Sequence, residues 1–259
     1  MVWIIKEFPI VPNIEDSSYY AKRFEKRFLY ELVTFENKWI NDFINDVGLN
    51  TAKDILEFII SEIDYPFSRL GRPCDTHIWN SFDGKACFKI IDDYWQTAYE
   101  TLLIWKLNAK RGKKGYGDCE DVSIATQALL ESINVPSYVC FGQVFKKEQL
   151  LGGHAWVIAE LEGSWRLCEM TLDVPPLYPS GYPVVDPNSN VYSFGDFRYE
   201  AWIKWSSKEY FEWIPSHGVN MSSMFERYVR FDRKDKHSKK KLIRLRKGYR
   251  EWLKKVHVA

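Results

Sequence analysis

The spacing of apolar residues predicts helices in the first third of the chain. From residue 19 to about residue 47, large apolar residues recur at steps of three and four, which places them on one stripe of a helix. They are Phe24, Phe28, Leu32, Phe35, Trp39 and Phe43. Gly48 is expected to end this helix, and Thr51 with Asp54 predicts a capping box that opens a second helix through about Ile63.

Prolines, glycines and polar residues divide the rest of the N-terminal part. Residues 1–18 are expected to form an extended arm, because breakers separate their short apolar pieces. Residues 64–88 are also rich in breakers and are predicted to be a loop. A third helix is predicted to run from Asp92 or Asp93 to about Leu107.

After Pro136 the pattern changes from helical to strand-like. Three segments rich in aromatic and β-branched residues predict strands at residues 137–145, 154–161 and 164–171. Glu162 and Gly163 predict a two-residue turn that joins the last two strands in a hairpin. Residues 173–195, which hold five prolines and two glycines, are expected to be irregular, and an aromatic segment follows at 197–213.

Composition argues against several classes of protein. The 259 residues are 46% apolar and 27% charged, which is an ordinary globular mixture. The five cysteines are an odd number without a C-x-x-C pair, which argues against a disulfide framework and a zinc ribbon. The N-terminal apolar run is too short for a signal peptide, and no run of about 18 apolar residues follows. We therefore expect a soluble, cytoplasmic protein without a membrane span.

The net charge of +1 conceals a strongly basic tail. Residues 227–259 carry 14 Lys and Arg against 3 Asp and Glu, so the remainder of the chain is acidic. One interpretation is that this tail binds a polyanion such as nucleic acid. The other is that it forms a solvated helix docked on the acidic remainder.

Cys119 lies at the predicted start of a helix. The loop 109–117 holds three glycines, and apolar residues at helical spacing follow over 122–133. Asp118 is a suitable N-cap and Asp121 stands three positions later, so Cys119 is expected at the first helical position. Free N–H groups and the helix dipole favour a thiolate there, although the ordinary pKa of cysteine is about 8.5. Cys119 is therefore a candidate nucleophile, and the alternative is a buried structural cysteine.

A cysteine nucleophile needs a base and a group that orients the base. His154 is the leading candidate base because it lies on an apolar strand of the same region, and the alternative is a histidine that only packs in the core. The predicted hairpin puts Glu169 on the same face as His154 and diagonal to it, at roughly 7–8 Å between backbones. Cys119, His154 and Glu169 therefore form a coherent predicted triad. Asp173 occupies the opposite diagonal and is the reserve acid.

Four blocks of this sequence together resemble the transglutaminase-like superfamily of papain-type cysteine enzymes. They are DYWQTAYE at 93–100, GDCED at 117–121, GHAW at 153–156 and W-x-x-x-E-x-T at 165–171. The resemblance covers about residues 89–175 and is closest to the bacterial transglutaminase-like cysteine proteinases. It implies an α+β fold in which the helix bearing the cysteine packs on an antiparallel sheet bearing the histidine and the acid.

The resemblance also implies a division of the chain. Residues 1–88 would form an N-terminal arm and helices, residues 89–218 the transglutaminase-like catalytic core, and residues 219–259 the basic tail. This sequence differs from the family in two respects. The third triad residue of the family is usually Asp and here is Glu169, and the proteinase branch is exported, whereas this chain is expected to lack a signal peptide.

Acyl transfer at an amide is the chemistry that the resemblance implies. The predicted function is a cysteine-dependent amide hydrolase, a peptidase acting on a protein or peptide through a thioester and needing no cofactor. A transglutaminase-type acyl transferase and a non-catalytic polyanion-binding scaffold are the alternatives. The Cys119 N–H is the expected first oxyanion donor, and the Trp95 indole or the Gln96 amide is the candidate second donor.

Three acids next to Cys119 oppose its ionisation. Asp118, Glu120 and Asp121 place three carboxylates within one turn of the sulfur. Asp118 and Asp121 can be explained as caps. The alternative is that the three acids bind Ca²⁺ together with loop carbonyls and water, as acids of this motif do in the adhesin-processing members of the proteinase branch.

Overall fold

The computed structural model describes residues 2–8, 29–65, 75–80, 86–91 and 95–214. The helices are α1 (Leu29–Thr34), α2 (Asn37–Val47), α3 (Ala52–Glu62), α4 (Ala98–Ala109) and α5 (Cys119–Ser132). The first five strands are β1 (Val2–Lys6), β2 (Ile63–Asp64), β3 (Asp75–Asn80), β4 (Ala86–Ile91) and β5 (Gly115–Tyr116). The remaining strands are β6 (Ser137–Lys146), β7 (Gln149–Leu161), β8 (Ser164–Cys168), β9 (Val191–Phe194), β10 (Phe197–Trp205) and β11 (Tyr210–Ile214).

The long helix predicted over 19–47 is interrupted in its described part. Glu36, between α1 and α2, has a φ of 59°, a left-handed conformation that a continuous helix does not contain. The apolar stripe runs across this break, so the spacing alone did not reveal it. The predicted end at Gly48 and the capping box of Thr51 and Asp54 are both confirmed.

Two predictions in the segment before α4 are wrong. The expected loop over 64–88 contains β3 and the start of β4, which pair in an antiparallel ladder. The segment contains short apolar stretches between its prolines, glycines and polar residues, and these stretches form the two strands. The helix expected from Asp92 or Asp93 begins at Ala98, where Thr97 and Glu100 form the capping box; residues 92–94 themselves lie outside the described residues.

The main sheet is antiparallel at every pairing among the described strands. Its order is β1-β11-β10-β6-β7-β8, and β9 pairs with the other end of β10. The first residues of the predicted arm are therefore a strand, which pairs with β11 from the far end of the described chain. At the coarse level of helices with an antiparallel sheet, the predicted α+β class is confirmed.

Both faces of the central strands of the sheet are buried. Helix α5 covers one face, and its residues from Cys119 to Leu130 are all buried against the sheet or the other helices. On the opposite face, a mainly aromatic cluster fills the interior. Its largest members are Trp156, Tyr192, Phe197 and Tyr199. Helix α5 is thus the central helix of the fold.

No helix within the described ranges combines the length and the apolar character needed to cross a membrane. The predicted basic tail, residues 219–259, lies outside the described residues, and the division at residues 88 and 218 stays a prediction.

Candidate active site

Cys119 is the first residue of α5, as predicted, and its side chain is buried. Asp118 precedes it with an extended backbone and is the N-cap residue. The Asp118 N–H donates to the Asp121 carboxylate over 3.3 Å, which is the reciprocal bond of a capping box. The sulfur therefore lies at the positive end of a well-formed helix, where a thiolate is stabilised.

Asp121 connects the start of α5 to the segment before α4. Its carboxylate accepts the main-chain N–H of Gln96 over 2.8 Å and the Gln96 side-chain Nε2–H over 2.5 Å. Burial, followed by the nearby charge of Asp118, raises the pKa of Asp121 well above its ordinary value, and the bonds from Gln96 counteract this only in part. Asp121 is thus committed to a structural contact.

The two candidate oxyanion donors have different surroundings. Gln96 is fully buried and already donates one side-chain N–H to Asp121. Trp95 is half-buried and packs against Phe141, with ring centroids 5.3 Å apart, and against Trp205 at 6.2 Å. Either role at the oxyanion stays a prediction.

His154 and Glu169 contact each other, as the predicted hairpin register requires. In the ladder between β7 and β8, Leu161 lies opposite Ser164 and Val157 lies opposite Cys168, which is the expected register. Glu169 follows the end of β8, and its Oε2 lies 2.8 Å from Nε2 of His154. An ionised carboxylate can only accept, so Nε2 carries a proton, and in the neutral ring Nδ1 keeps its lone pair.

Three residues hold the Glu169 carboxylate. The main-chain N–H and the hydroxyl of Thr171 donate to Oε1 over 2.9 and 2.7 Å, and the hydroxyl of Tyr199 donates to Oε2 over 3.0 Å. Glu169 is fully buried, and burial alone would raise its pKa. The charge of His154 and the bonds from His154 and Thr171 outweigh burial, so the pKa of Glu169 is lowered.

Sequence reasoning missed Tyr199. It lies in the aromatic segment at 197–213, but only the pairing of β10 with β6 brings it to the hairpin. Alternate residues of a strand point to the same face, so the alternation along β10 gave a weak indication that Tyr199 is buried. Phe197, Tyr199 and Ala201 are indeed all buried.

Cys119 and His154 have different packing neighbours. Cys119 belongs to the core between α5 and the sheet face that carries Ala155 and Val157. The His154 ring packs near Trp156 and Tyr199, with centroids 6.3 and 6.2 Å away. The pairing of Cys119 with His154 stays a prediction.

Acidic groups surround the sulfur. One ligand atom each of Asp118, Cys119 and Glu120 lies within 4.8 Å of the others, and all three residues are buried. The Cys119 thiol donates to Glu120 Oε2 over 3.0 Å. Asp118 Oδ1 is buried and has no hydrogen-bond partner in the described part of the chain.

Only two of the three acids predicted to bind calcium lie in the cluster at the sulfur. Asp118 and Glu120 present hard oxygen atoms, and the buried Oδ1 of Asp118 is the kind of atom that a cation would satisfy. Asp121 turns instead to Gln96, and a sulfur takes its place in the cluster. Two carboxylates supply few of the roughly six to eight oxygen ligands of Ca²⁺. Calcium binding by Asp118 and Glu120 stays a prediction.

The reserve acid Asp173 is exposed. It lines a small cleft of about 80 Å³ beside the loop that precedes Cys119. The cleft also includes Asp64, Lys114, Gly117, Met170 and Leu172. Nε2 of His154 lies 2.8 Å from Glu169.

No protein-family model and no curated protein matches this sequence. A solved structure from Cytophaga hutchinsonii, described as a "putative cysteine protease", is similar at 16% identity and a TM-score of 0.35; the match covers 59% of this chain and 43% of that one. This chain thus spans less than half of the Cytophaga protein.

Two structures of Legionella pneumophila LapG are also similar. The EGTA-treated form is 12% identical, with a TM-score of 0.39, and the match covers 87% of this chain and 99% of that chain. The calcium-bound form is 15% identical, with a TM-score of 0.34, and the match covers 81% and 95%. All three TM-scores lie below 0.5.

Proposed function

We propose that this chain is a cysteine-dependent amide hydrolase of the transglutaminase-like type, acting on protein or peptide substrates. The observation that carries the proposal is the 2.8 Å contact between His154 Nε2 and the buried carboxylate of Glu169. A fully buried carboxylate is costly unless it is paired, and this one is paired with an imidazole that keeps 15% of its side-chain surface exposed. That arrangement suits a base better than a purely structural histidine.

The proposed roles follow from the tautomer. With its proton on Nε2, His154 can accept the thiol proton of Cys119 at Nδ1, and Glu169 stabilises the resulting imidazolium. The sulfur attacks the amide carbonyl, and the Cys119 N–H at the start of α5 supplies one oxyanion donor. His154 then gives its proton to the departing amine, which leaves a thioester on Cys119.

Water completes the cycle by attacking the thioester. His154 accepts one proton of the water, the carboxylic acid product leaves, and the thiol of Cys119 is regenerated. A primary amine in place of water would give a new amide, which is the transglutaminase-type outcome. The same residues serve both reactions, so the test includes an added amine.

The first test is the alkylation of Cys119 by iodoacetamide at neutral pH, read by peptide mass spectrometry. Cys140 and Cys168 are internal controls, because both are fully buried and burial raises the pKa of each thiol, that of Cys140 to about 12. We expect Cys119 to react at least about 10-fold faster than either control and His154→Ala to remove most of that advantage. Equal rates in the wild type and in His154→Ala would contradict the proposal.

The second test identifies the reaction. A peptide library is incubated with the protein, with and without a primary amine, and the products are read by mass spectrometry. Cleaved peptides that disappear with Cys119→Ala support the hydrolase, and amine adducts support the acyl transferase. Peptides that are unchanged under both conditions, together with an unreactive Cys119, would contradict both.

A further inference from the structure

Tyr199 contacts Glu169, the acid of the proposed triad. Its hydroxyl lies 3.0 Å from Oε2 of Glu169, and the same oxygen receives the Nε2–H of His154 over 2.8 Å. Tyr199 and Glu169 are both fully buried. In the low-dielectric interior, a hydrogen bond to a charged group is stronger than one at the surface.

The sheet holds the Tyr199 ring firmly. On β10, Tyr199 pairs with Val144 of β6 and with Tyr192 of β9, and its ring meets Trp156 edge-on with centroids 5.2 Å apart. The register of β10 shifts between Ala201 and Ile203, so Tyr199 packs in the same cluster as Trp156, whereas Ile203 packs in the other core cluster. The hydroxyl therefore reaches Glu169 from a fixed support.

A close approach of two strands sets this geometry. Gly142 of β6 lies opposite His154 of β7 and also opposite Ala201 of β10. A Cβ atom at Gly142 would overlap the carbonyl oxygen of Glu200, the residue next to Tyr199. Glycine at this position thus allows β10 to lie close enough for the tyrosine to share a carboxylate with the histidine.

We propose that Tyr199 is a positioning residue, whose hydroxyl holds the Glu169 carboxylate as an anion aligned with Nε2 of His154. Thr171 fixes Oε1, and Tyr199 and His154 share Oε2, so neither oxygen is free to turn away. This inference rests on the proposed function, because it assigns a partner to the acid of that triad. Tyr199 acts through Glu169 and touches no reacting atom.

The physical effect has a definite sign. A phenol donor stabilises the ionised carboxylate, so loss of the hydroxyl lets Glu169 protonate at higher pH. A protonated Glu169 no longer supports the imidazolium of His154, so His154 becomes a weaker acceptor for the proton of Cys119 at higher pH than in the wild type. The hydroxyl of tyrosine, with an ordinary pKa near 10, remains a donor throughout this range.

The matched pair of variants is Tyr199→Phe and Tyr192→Phe. Tyr192 is buried in the same aromatic cluster, but its hydroxyl donates to the Ser189 carbonyl over 2.7 Å and not to Glu169. The rate of Cys119 alkylation by iodoacetamide is measured from acidic to neutral pH, with urea unfolding to verify that each variant is folded. Thr171→Val, which removes one donor to Oε1 and keeps the main-chain donor, is a second probe.

We expect Tyr199→Phe to lower the neutral-pH alkylation rate about 10-fold and to move the acid limb of the profile to higher pH, whereas Tyr192→Phe changes neither. Thr171→Val should move the limb in the same direction. A wild-type profile for Tyr199→Phe, or equal changes in the two tyrosine variants, would overturn the proposal.

A measurement without reactivity separates this inference from the proposed function. In a Cys119→Ala background, the nitrogen and proton resonances of the His154 ring report the bond to Glu169. Tyr199→Phe should shift the Nε2–H resonance while Tyr192→Phe leaves it in place. If His154→Ala does not slow the alkylation of Cys119, the proposed function fails. A His154 resonance that Tyr199→Phe shifts and Tyr192→Phe does not would still support the positioning role of Tyr199. A resonance that Tyr199→Phe leaves unshifted would overturn that role.

Discussion

His154 Nε2 and Glu169 Oε2 lie 2.8 Å apart although the two residues are not opposite each other in the hairpin. Continued past Cys168, the ladder of β7 and β8 places Glu169 diagonal to His154 and on the same face. A glutamate is long enough to span this diagonal. The length of the Glu169 side chain therefore matches the contact that a diagonal pair requires.

The first prediction concerns the charge of Glu169. Glu169→Gln keeps the size of the side chain but loses control of the His154 tautomer, so we expect peptide cleavage to slow about a thousand-fold. Asp173→Asn is the control, because Asp173 is exposed, whereas Glu169 is buried and lies 2.8 Å from Nε2 of His154. We expect that control to stay within about twofold of the wild type. A larger loss of cleavage rate with Asp173→Asn than with Glu169→Gln would show that Asp173, and not Glu169, is the acid of the triad.

The second prediction is the pH dependence of stability. The pKa of Glu169 is lowered in the folded state, so its contribution is fully present above the unfolded pKa of about 4.3 and is lost as pH falls through the folded pKa. The difference in free energy of unfolding between the wild type and Glu169→Gln should be constant down to about pH 5 and shrink below it. Urea titrations at several pH values measure it.

The control for this measurement is Glu160→Gln, since Glu160 is half-buried on the same strand as His154. This variant controls for the loss of one carboxylate from the protein. A Glu169→Gln difference that grows on acidification would show that the pKa is raised and not lowered.

The third prediction concerns Gly142. Gly142→Ala would force β10 away from β6, because the added Cβ overlaps the Glu200 carbonyl. We expect the free energy of unfolding, measured by urea, to fall by about 3 kcal/mol. We also expect the pH profile of Cys119 alkylation to resemble that of Tyr199→Phe. Gly163→Ala tests backbone conformation without a clash, since Gly163 has a φ of 73° and open space around it. That variant should lose only about 1–2 kcal/mol.

The fourth prediction concerns Ca²⁺. If Asp118 and Glu120 bind the ion, calcium raises the melting temperature and speeds Cys119 alkylation relative to chelator, because the ion offsets two carboxylates beside the sulfur. Asp118→Asn with Glu120→Gln should abolish both responses. If calcium changes neither the melting temperature nor the alkylation rate of the wild type, the acids bind no calcium and Asp118 acts only as the helix cap.

The sequence by itself determined the local features of the candidate site. The position of Cys119 at the start of α5 followed from capping residues and helical spacing, and both signals act within a few residues. The register of β7 and β8 followed from a two-residue turn in which Glu162 and Gly163 both have positive φ. Such a turn leaves the flanking strands only one pairing.

Only the tertiary structure decided the contacts between distant segments. The bond of Asp121 to Gln96 and the bond of Tyr199 to Glu169 join residues 25 and 30 positions apart. The pairing of β1 with β11 joins the two ends of the described chain. Periodicity shows which face of an element is buried but not which element will cover it, because that choice depends on packing across the whole core.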